Sequence, residues 1–239
     1  MLKYTHKGFY TFCFYLKIMR LIKNSLLAAS LMLAMGCADA QNGSQSTDFA
    51  KLPKPATNEK VATFAGGCFW SLSEGLSELK GVDKVVSGYA GGTTKNPTYQ
   101  QVSSRNTGHA ESVQVYYDPK VVSYAELAKS FFYAHNPTEL NRQGPDEGTD
   151  YRSIAFYRTP EEKATLDKII QEINQSHHYP DKIVTQVVPY KVLYPAEKYH
   201  QGYYRVHPES RYIQGVSEPK VEKLRANRQA YLKPQFKNK

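Results

Sequence analysis

The sequence predicts an α+β protein, a two-layer α/β sandwich in which helices pack on a mixed β-sheet. Short β-prone runs alternate with segments of helical apolar spacing, in the order β, α, β, β, α, β, α, β, α. No GxGxxG motif or P-loop follows the first strand, which disfavours a doubly wound nucleotide-binding fold. With 239 residues, 41% of them hydrophobic, the chain can bury one good core.

The predicted domain opens with a strand, a glycine turn and a helix. Lys60 to Phe64 is β-prone, and Gly66 and Gly67 permit a sharp change of direction. The segment from Phe69 to Leu79 has helical apolar spacing, so Cys68 is predicted to lie at a helix N-terminus.

Two strands follow, at residues 82–89 and 110–117, and the second alternates in SVQVYY. The polar segment between them, GGTTKNPTYQQVSSRNTGH, is longer than a simple connection needs to be. Long loops on a scaffold often carry functional residues.

Capping signals predict two further helices. Ser123 with Glu126 precedes ELAKSFFYAH, and Thr159 with Glu162 precedes a second helical pattern that begins with proline. The remaining predicted elements are strands at 153–157 and 182–188 and a last helix at 195–205. This order suits a ferredoxin-like mixed sheet.

The N-terminus is typical of an export signal. Basic residues at Arg20 and Lys23 precede a short apolar run over 25–36, which is below the roughly 20 residues that span a bilayer. The ending AMGC is similar to a bacterial lipobox, which predicts lipidation of Cys37 and an exported protein anchored in the cell envelope. Cleavage without lipidation, or an uncleaved anchor, remains open, and Met19 is the expected start.

The chain therefore divides into four predicted regions: a signal peptide at 1–36, a polar tether at 37–60, a globular domain at 61–218 and a basic tail at 219–239. The formal net charge of +9 falls to about +4 without the signal region. That mild excess does not predict a nucleic-acid surface, and we expect a monomer.

The positions of the three cysteines leave one thiol in the predicted domain. Cys13 and Cys37 fall in or beside the signal region, so Cys68 alone remains in the predicted domain and no disulfide can form there. A lone cysteine can be an inert apolar residue. At a helix N-terminus, however, free amides and the helix dipole would favour a reactive thiolate.

Candidate partners of this thiol lie on other segments. Glu111 begins a strand, and Asp146 and Tyr151 lie in a glycine-bounded loop, although each could equally be a surface or capping residue. The histidines, of which His109, His135 and His200 are candidate bases, sit in no recognisable dyad motif. Without HxxxH or CxxC spacing we expect no metal.

A set of ordered motifs is similar to the A-type peptide methionine sulfoxide reductases. The matching segments are GGCFW, SGYAGG, NPTYQQV, TGHAESVQVYYDP, FFYAHNPTELNRQGPDEGTDYRS and PAEKYHQGYY. The resemblance implies thiol-dependent reduction of methionine S-sulfoxide, free or in oxidised proteins, to methionine. It implies that Cys68 attacks the sulfoxide sulfur and becomes a sulfenic acid, while Phe69 and Trp70 hold the methyl group.

The same resemblance assigns roles to four polar residues. Glu111 would protonate the sulfoxide oxygen, which is a poor leaving group otherwise, so its carboxyl should be neutral in the free enzyme. Tyr99 and Tyr151 would hydrogen-bond that oxygen, and Asp146 would organise a water. No bound cofactor is implied.

The chain departs from the family pattern at several positions. Ser103 stands where cysteine is frequent, and no thiol follows Tyr204, so an external thiol, such as a thioredoxin-like protein or dithiothreitol, is expected to reduce Cys68. Ser71 and Ser73 replace the usual residues beside the nucleophile, with Glu74 as a possible substitute. Two alternatives stay open: an exported lipoprotein that binds methionine-type ligands without turnover, and a cysteine hydrolase with a histidine base.

Overall fold

The structure, a computed structural model, describes residues 48–237. The predicted signal peptide, the lipidation site Cys37 and most of the predicted tether lie outside the described residues. Within residues 48–237, no helix is both long and apolar enough to cross a membrane.

Eight strands and six α-helices make up the described part of the chain, together with short 3-10 and π turns. The strands are β1 (Lys60–Ala65), β2 (Val82–Ala90), β3 (Ala110–Tyr117), β4 (Arg142–Gln143), β5 (Asp146–Glu147), β6 (Ile154–Tyr157), β7 (Gln186–Pro189) and β8 (Leu193–Pro195). The helices are α1 (Phe69–Ser77), α2 (Tyr99–Ser103), α3 (Tyr124–Tyr133), α4 (Pro160–Ser176), α5 (Tyr203–Val206) and α6 (Glu218–Arg228).

Six strands form one mixed sheet in the order β7-β6-β1-β3-β2-β8. The four strands β6-β1-β3-β2 are antiparallel to one another, and β7 joins parallel to β6. This central order is the ferredoxin-like arrangement, so the predicted α+β fold class is confirmed. Every residue of β3 is buried, Glu111 among them.

The main core lies between the sheet and the helices. Its apolar side chains come from α1, α3, α4 and the inner face of the central strands; they include Phe64, Leu72, Leu76, Val113, Val115, Leu127, Phe131, Leu166 and Ile169. Phe64 and Phe131 stack at 4.6 Å between ring centroids. Each such side chain contributes about 1.5–3 kcal/mol by leaving water.

The N-cap half of both predicted capping boxes is confirmed, whereas the Glu126 and Glu162 side chains bind Arg228 and the Arg158 N–H instead of the N-cap amides. The Ser123 hydroxyl accepts a hydrogen bond from the Glu126 N–H, and the Thr159 hydroxyl accepts one from the Glu162 N–H. These bonds satisfy amides that have no partner within the helix, so they define where α3 and α4 begin.

Two element predictions near the C-terminus were wrong. No continuous helix runs over 195–205; a 3-10 turn at Lys198–His200 is followed by the short α5. The strand predicted at 182–188 lies at Gln186–Pro189 instead, where it can pair with β6. In both cases tertiary pairing, which local composition does not encode, decides the outcome.

The segment predicted to be a basic tail contains α6, which packs on α1. Val221, Leu224 and Leu232 are buried, and Arg225 donates two hydrogen bonds to the fully buried Glu78, at 2.8 and 2.7 Å. Because many residues of this helix are basic, the sequence did not predict its apolar face. The folded part of the chain therefore extends beyond residue 218.

The last residues of the predicted tether also lie against the domain. Lys198 N–H donates to the Asp48 carbonyl, and Ala50 N–H donates to the Ala196 carbonyl. The Tyr116 hydroxyl donates to the Pro53 carbonyl at 2.9 Å. Sheet-edge hydrogen bonds thus order residues before β1.

Candidate active site

A glycine turn aims Cys68 at the start of α1. Gly67 has φ +81°, and a Cβ at this position would lie 2.4 Å from Gln143 Cγ. A side chain is therefore excluded both by backbone conformation and by contact. Cys68 follows as the N-cap of α1, as the sequence predicted.

Cys68 opens onto a cavity of about 290 Å³. Its thiol is the only free cysteine side chain among residues 48–237, and the residue is 5% exposed. The cavity is lined by Cys68, Trp70, Tyr99, Glu111, Tyr151, Tyr203, Ser210 and Tyr212. Four of the residues predicted for the site therefore meet around the thiol: Trp70, Tyr99, Glu111 and Tyr151.

Glu111 presents its carboxyl to the same cavity from β3. Its Oε2 accepts a hydrogen bond from the Phe69 N–H at 2.9 Å, so this side chain satisfies the first free amide of α1. Burial raises the pKa of Glu111 to about 8; the Phe69 N–H opposes this shift and the charge of Asp150 adds to it. The carboxyl is thus mainly protonated at neutral pH.

The thiol does not have the stabilised charge that the helix N-terminus suggested. Burial raises the pKa of Cys68, the charge of Glu111 raises it further, and the Tyr212 hydroxyl opposes both. The N-terminal amide of Phe69 donates to Glu111 rather than to sulfur. The expectation of a resting thiolate was therefore wrong, because desolvation outweighs the helix dipole in this cavity.

Two tyrosines complete the polar side of the cavity. Tyr99 is the first residue of α2, and Tyr151 ends the 3-10 turn Thr149–Tyr151. Burial raises the pKa of both phenols, and the charge of Glu111 adds to the shift in each. Both hydroxyls therefore keep their protons and can donate hydrogen bonds.

Asp146 does not line the cavity but contacts it through Tyr212. Its Oδ2 accepts hydrogen bonds from the Tyr212 hydroxyl at 2.7 Å and from Lys220 Nζ at 3.2 Å. The Tyr212 hydroxyl is also within hydrogen-bonding reach of Cys68. Asp146 thus acts on the thiol indirectly, by orienting Tyr212.

The two aromatic residues after Cys68 occupy different places. Trp70 lines the cavity and stacks on Tyr203, with ring centroids 3.8 Å apart. Phe69 is fully buried behind it, beside Tyr89 and His200. The structure therefore brings Trp70 to the cavity surface, whereas Phe69 supports the wall from the core side.

Three lining residues were missed by the sequence analysis. Ser210 and Tyr212 lie in HPESRYI, which follows the last matched segment and shows no periodic pattern. Tyr203 belongs to PAEKYHQGYY and could have been named from that segment. Only the fold shows that this stretch returns to cover α1.

The serines beside the nucleophile bond to the backbone of their own helix. Ser71 Oγ donates to the Cys68 carbonyl at 3.0 Å, and Ser73 Oγ donates to the Trp70 carbonyl at 3.2 Å. The Arg205 Nε–H donates a bifurcated hydrogen bond to the two carboxylate oxygens of Glu74, at 3.0 and 2.7 Å. Glu74 therefore joins α1 to α5 rather than facing the cavity.

No histidine lines the cavity in the part of the chain that the structure describes. His135 is bonded to the Phe131 carbonyl and to Ser153, and His109 is bonded to Gly92 and Thr94. In residues 48–237, no three His, Cys, Asp or Glu side chains are grouped to hold a metal ion.

A buried thiol facing a protonated carboxyl and tyrosine hydroxyls, without a histidine base beside it, defines a thiol-dependent oxidoreductase rather than a cysteine hydrolase. Residues 60–232 match the family model described as peptide methionine sulfoxide reductase. The chain therefore belongs to this family, and its enzymatic class is that of the MsrA-type reductases.

Individual relatives also support membership of the peptide methionine sulfoxide reductase family. The chain is 45% identical to the MsrA of Polynucleobacter asymbioticus over 175 residues, covering 73% of this chain and 92% of that protein. It is 49% identical to the MsrA of Haloquadratum walsbyi over 166 residues, covering 70% and 94%.

A solved structure, reduced Mxr1 from Saccharomyces cerevisiae, is similar with a TM-score of 0.62 and 35% identity, covering 66% of this chain and 91% of that one. Methionine sulfoxide reductase A of Corynebacterium diphtheriae aligns with a TM-score of 0.59 and 27% identity, covering 70% and 91%.

Proposed function

We propose that this reductase acts on methionine S-sulfoxide with Cys68 as nucleophile and Glu111 as general acid. The observation that carries the proposal is their placement on one cavity, where Glu111 is protonated at neutral pH. Comparisons support the reductase class and give no support to a lipoprotein that only binds methionine-type ligands.

The proposed chemical step moves one oxygen atom from substrate to enzyme. Cys68 Sγ attacks the sulfoxide sulfur and forms an S–S bond, while Glu111 protonates the sulfoxide oxygen and the thiol proton passes to the Glu111 carboxylate. The hydroxyl group then moves from the substrate sulfur to Sγ as the S–O and S–S bonds break, which releases methionine and leaves Cys68 as a sulfenic acid. The substrate sulfur gains the two electrons that the cysteine sulfur loses.

The protonation states in the cavity support this step. A neutral Glu111 can donate a proton, and its protonation removes the negative charge that opposes ionisation of Cys68. Proton transfer by a positioned acid contributes about 10²–10⁴-fold in rate. Tyr99 and Tyr151 hold phenolic protons beside Glu111 and would donate to the same oxygen.

The apolar wall fits the proposed substrate. Trp70 stacked on Tyr203 presents a flat aromatic surface to the cavity, and Phe69 supports it from behind. Such a surface would hold the S-methyl group, while Asp146 would orient Tyr212, and a water with it, at the polar side.

We further propose that an external thiol completes the cycle. The sulfenic acid on Cys68 would form a mixed disulfide with one thiol and release water, and a second thiol would then free Cys68. The absence of a second cysteine from residues 48–237 supports this route. A thioredoxin-like dithiol is the proposed reductant, with dithiothreitol as its laboratory substitute.

The function is tested by incubating the purified chain with each epimer of a blocked methionine sulfoxide and dithiothreitol. Methionine should form from the S epimer alone, and Cys68→Ser should abolish it. Equal turnover by the Cys68→Ser variant would refute the mechanism.

We propose, from the N-terminal sequence alone, that the enzyme is exported and lipidated at Cys37; we separately propose that it is a monomer. Metabolic labelling with a radioactive fatty acid should mark the unaltered chain and not Cys37→Ala. Labelling of both proteins, or of neither, would refute lipidation at this residue.

A further inference from the structure

Glu197 is a buried carboxylate outside the cavity that contacts one of its walls directly and the other through His200. The residue is 1% exposed, and it is the N-cap of the 3-10 turn Lys198–His200. Because residues three apart eclipse one another in a 3-10 turn, Glu197 and His200 project to the same side. Neither residue lines the cavity.

One oxygen of Glu197 fixes the backbone of a cavity tyrosine. Oε1 accepts a hydrogen bond from the Tyr99 N–H at 2.9 Å. Tyr99 is the first residue of α2, so this bond and the Thr98 cap together set where that short helix begins. The other oxygen, Oε2, accepts from the Tyr89 hydroxyl at 2.9 Å.

His200 joins Glu197 to the opposite wall. Its Nδ1 accepts a hydrogen bond from Trp70 Nε1 at 3.2 Å, so the neutral ring carries its proton on Nε2. That nitrogen is buried, has no hydrogen-bond partner among residues 48–237 and lies 3.8 Å from Glu197 Oε2. The carboxylate is the acceptor that faces this proton, and it favours the tautomer in which Nδ1 can bind the indole.

We propose that Glu197 is a positioning residue that holds Trp70 and Tyr99 at their working separation, Tyr99 directly and Trp70 through His200. The inference rests on the proposed function only in giving those two walls a substrate to hold. One oxygen of this buried carboxylate binds the Tyr99 N–H and the other faces His200, which binds Trp70. A displacement of Tyr99 is therefore expected to change the position of Trp70, and the reverse.

Glu197→Gln should keep the hydrogen bond to the Tyr99 N–H and disturb the link to Trp70 through His200. The amide oxygen can still accept from the Tyr99 N–H, and the amide NH₂ can donate to the Tyr89 hydroxyl, which rotates to accept. The same NH₂ also faces the Nε2 proton of His200, and two donors cannot bond. The His200 ring should therefore move or change tautomer, which releases the Trp70 indole. Glu172→Gln, a solvent-accessible carboxylate on α4 paired with Lys129, is the matched control.

The spectroscopic test uses the fact that Trp70 is the only tryptophan of the chain. Indole emission and acrylamide quenching report this residue alone when tyrosine is not excited. Glu197→Gln should raise the quenching constant about twofold or more, since the indole N–H loses its acceptor and the ring becomes mobile. Glu172→Gln should leave emission and quenching unchanged.

The kinetic test uses a blocked methionine S-sulfoxide with dithiothreitol. Glu197→Gln should raise KM about tenfold with a smaller change in kcat, because the Tyr99 N–H keeps its acceptor and the displaced Trp70 holds substrate without entering the bond changes. Glu197→Asp should recover part of the loss. His200→Gln provides a second variant with altered hydrogen bonding to Trp70 if Glu197→Gln does not fold.

The results separate this inference from the proposed function. If neither variant at positions 197 and 200 alters Trp70 emission, quenching or KM, the positioning role is refuted, whatever the activity. If the emission changes while the unaltered chain lacks reductase activity, the proposed function fails and the connection between Glu197 and Trp70 stands.

Discussion

The Glu111 carboxyl accepts a hydrogen bond from the Phe69 N–H, at 2.9 Å, directly after Cys68 in the chain. This contact places the proposed acid at the same helix terminus as the thiol, whose own amide partner there is the Trp70 N–H. Acid and nucleophile therefore share one buried site, and the ionisation of each raises the energy of the other. The cavity favours a neutral pair at rest.

Removing the acid should abolish most of the activity. Glu111→Gln keeps the size of the side chain and its carbonyl oxygen but loses the proton donor. We expect kcat/KM to fall by about 10²–10⁴-fold. Steady-state assays with methionine S-sulfoxide measure the effect, and unchanged activity would show that another group protonates the oxygen.

The activity of the unaltered enzyme should fall as pH rises through about 8, where Glu111 loses its proton. Because the pKa in the folded state lies above the ordinary value of 4.5, the native state binds more protons between these limits. The stability that depends on this group is therefore fully present below pH 4.5 and is lost as pH rises through 8. Glu111→Gln should remove that slope from urea-unfolding curves collected across the range.

The resting thiol should react slowly with alkylating agents. Burial raises the pKa of Cys68, and so does the charge of Glu111. At neutral pH, iodoacetamide should modify the native chain far more slowly than the urea-unfolded chain. Above pH 8, Glu111→Gln should react faster than the unaltered chain; equal rates there would contradict the charge coupling.

The charge of Lys220 should lower the pH at which Glu111 loses its proton. Lys220 donates a hydrogen bond to Asp146, and its positive charge lowers the pKa of Glu111. Lys220→Met should therefore move the descending limb of the pH profile to higher pH, while Lys220→Arg should retain it. Lys168→Met, an exposed lysine on α4, serves as the control. An unshifted limb in Lys220→Met would contradict this role.

The glycine before the nucleophile should resist substitution. Gly67→Ala places a methyl group 2.4 Å from Gln143 Cγ and forces alanine into a left-handed conformation, whereas Gly144→Ala has the same backbone strain and no neighbour within 4 Å. Both should lose about 1–2 kcal/mol from backbone strain, and Gly67→Ala should lose about 1–3 kcal/mol more from overpacking. Denaturant titration measures the difference between the two.

The C-terminal helix should contribute strongly to stability through one ion pair. Arg225→Met leaves the fully buried Glu78 without its cation, at a cost of about 3–5 kcal/mol. Lys163→Met breaks an exposed pair on α4 and should cost about 0–1 kcal/mol. Similar midpoints for the two variants in urea would show that α6 is not held by this contact.

Local signals were sufficient for much of the fold and part of the site. Alternation predicted β3 at its observed limits, and hydroxyl caps predicted α3 and α4, because these signals act within a few residues. Ordered motifs predicted that Trp70 and Glu111 would lie near Cys68. Such features depend on short-range chemistry or on whole segments that keep their spacing.

Other features depend on contacts between distant segments. Tyr212, which lines the cavity, lies shortly before α6, and the apolar face of α6 is interrupted by basic residues. The helix dipole at Cys68 was evident in the sequence, whereas the burial that outweighs it was not. Desolvation is a property of the assembled site.

The central claim is that Cys68 accepts the oxygen of methionine S-sulfoxide. A single-turnover reaction without added thiol, followed by mass spectrometry of the peptide that contains Cys68 and by quantification of methionine, tests it directly. We predict one methionine per chain and the gain of one oxygen atom on Cys68, with both absent in Cys68→Ser. Methionine formed while Cys68 stays unmodified, or formed equally by Cys68→Ser, would contradict the mechanism.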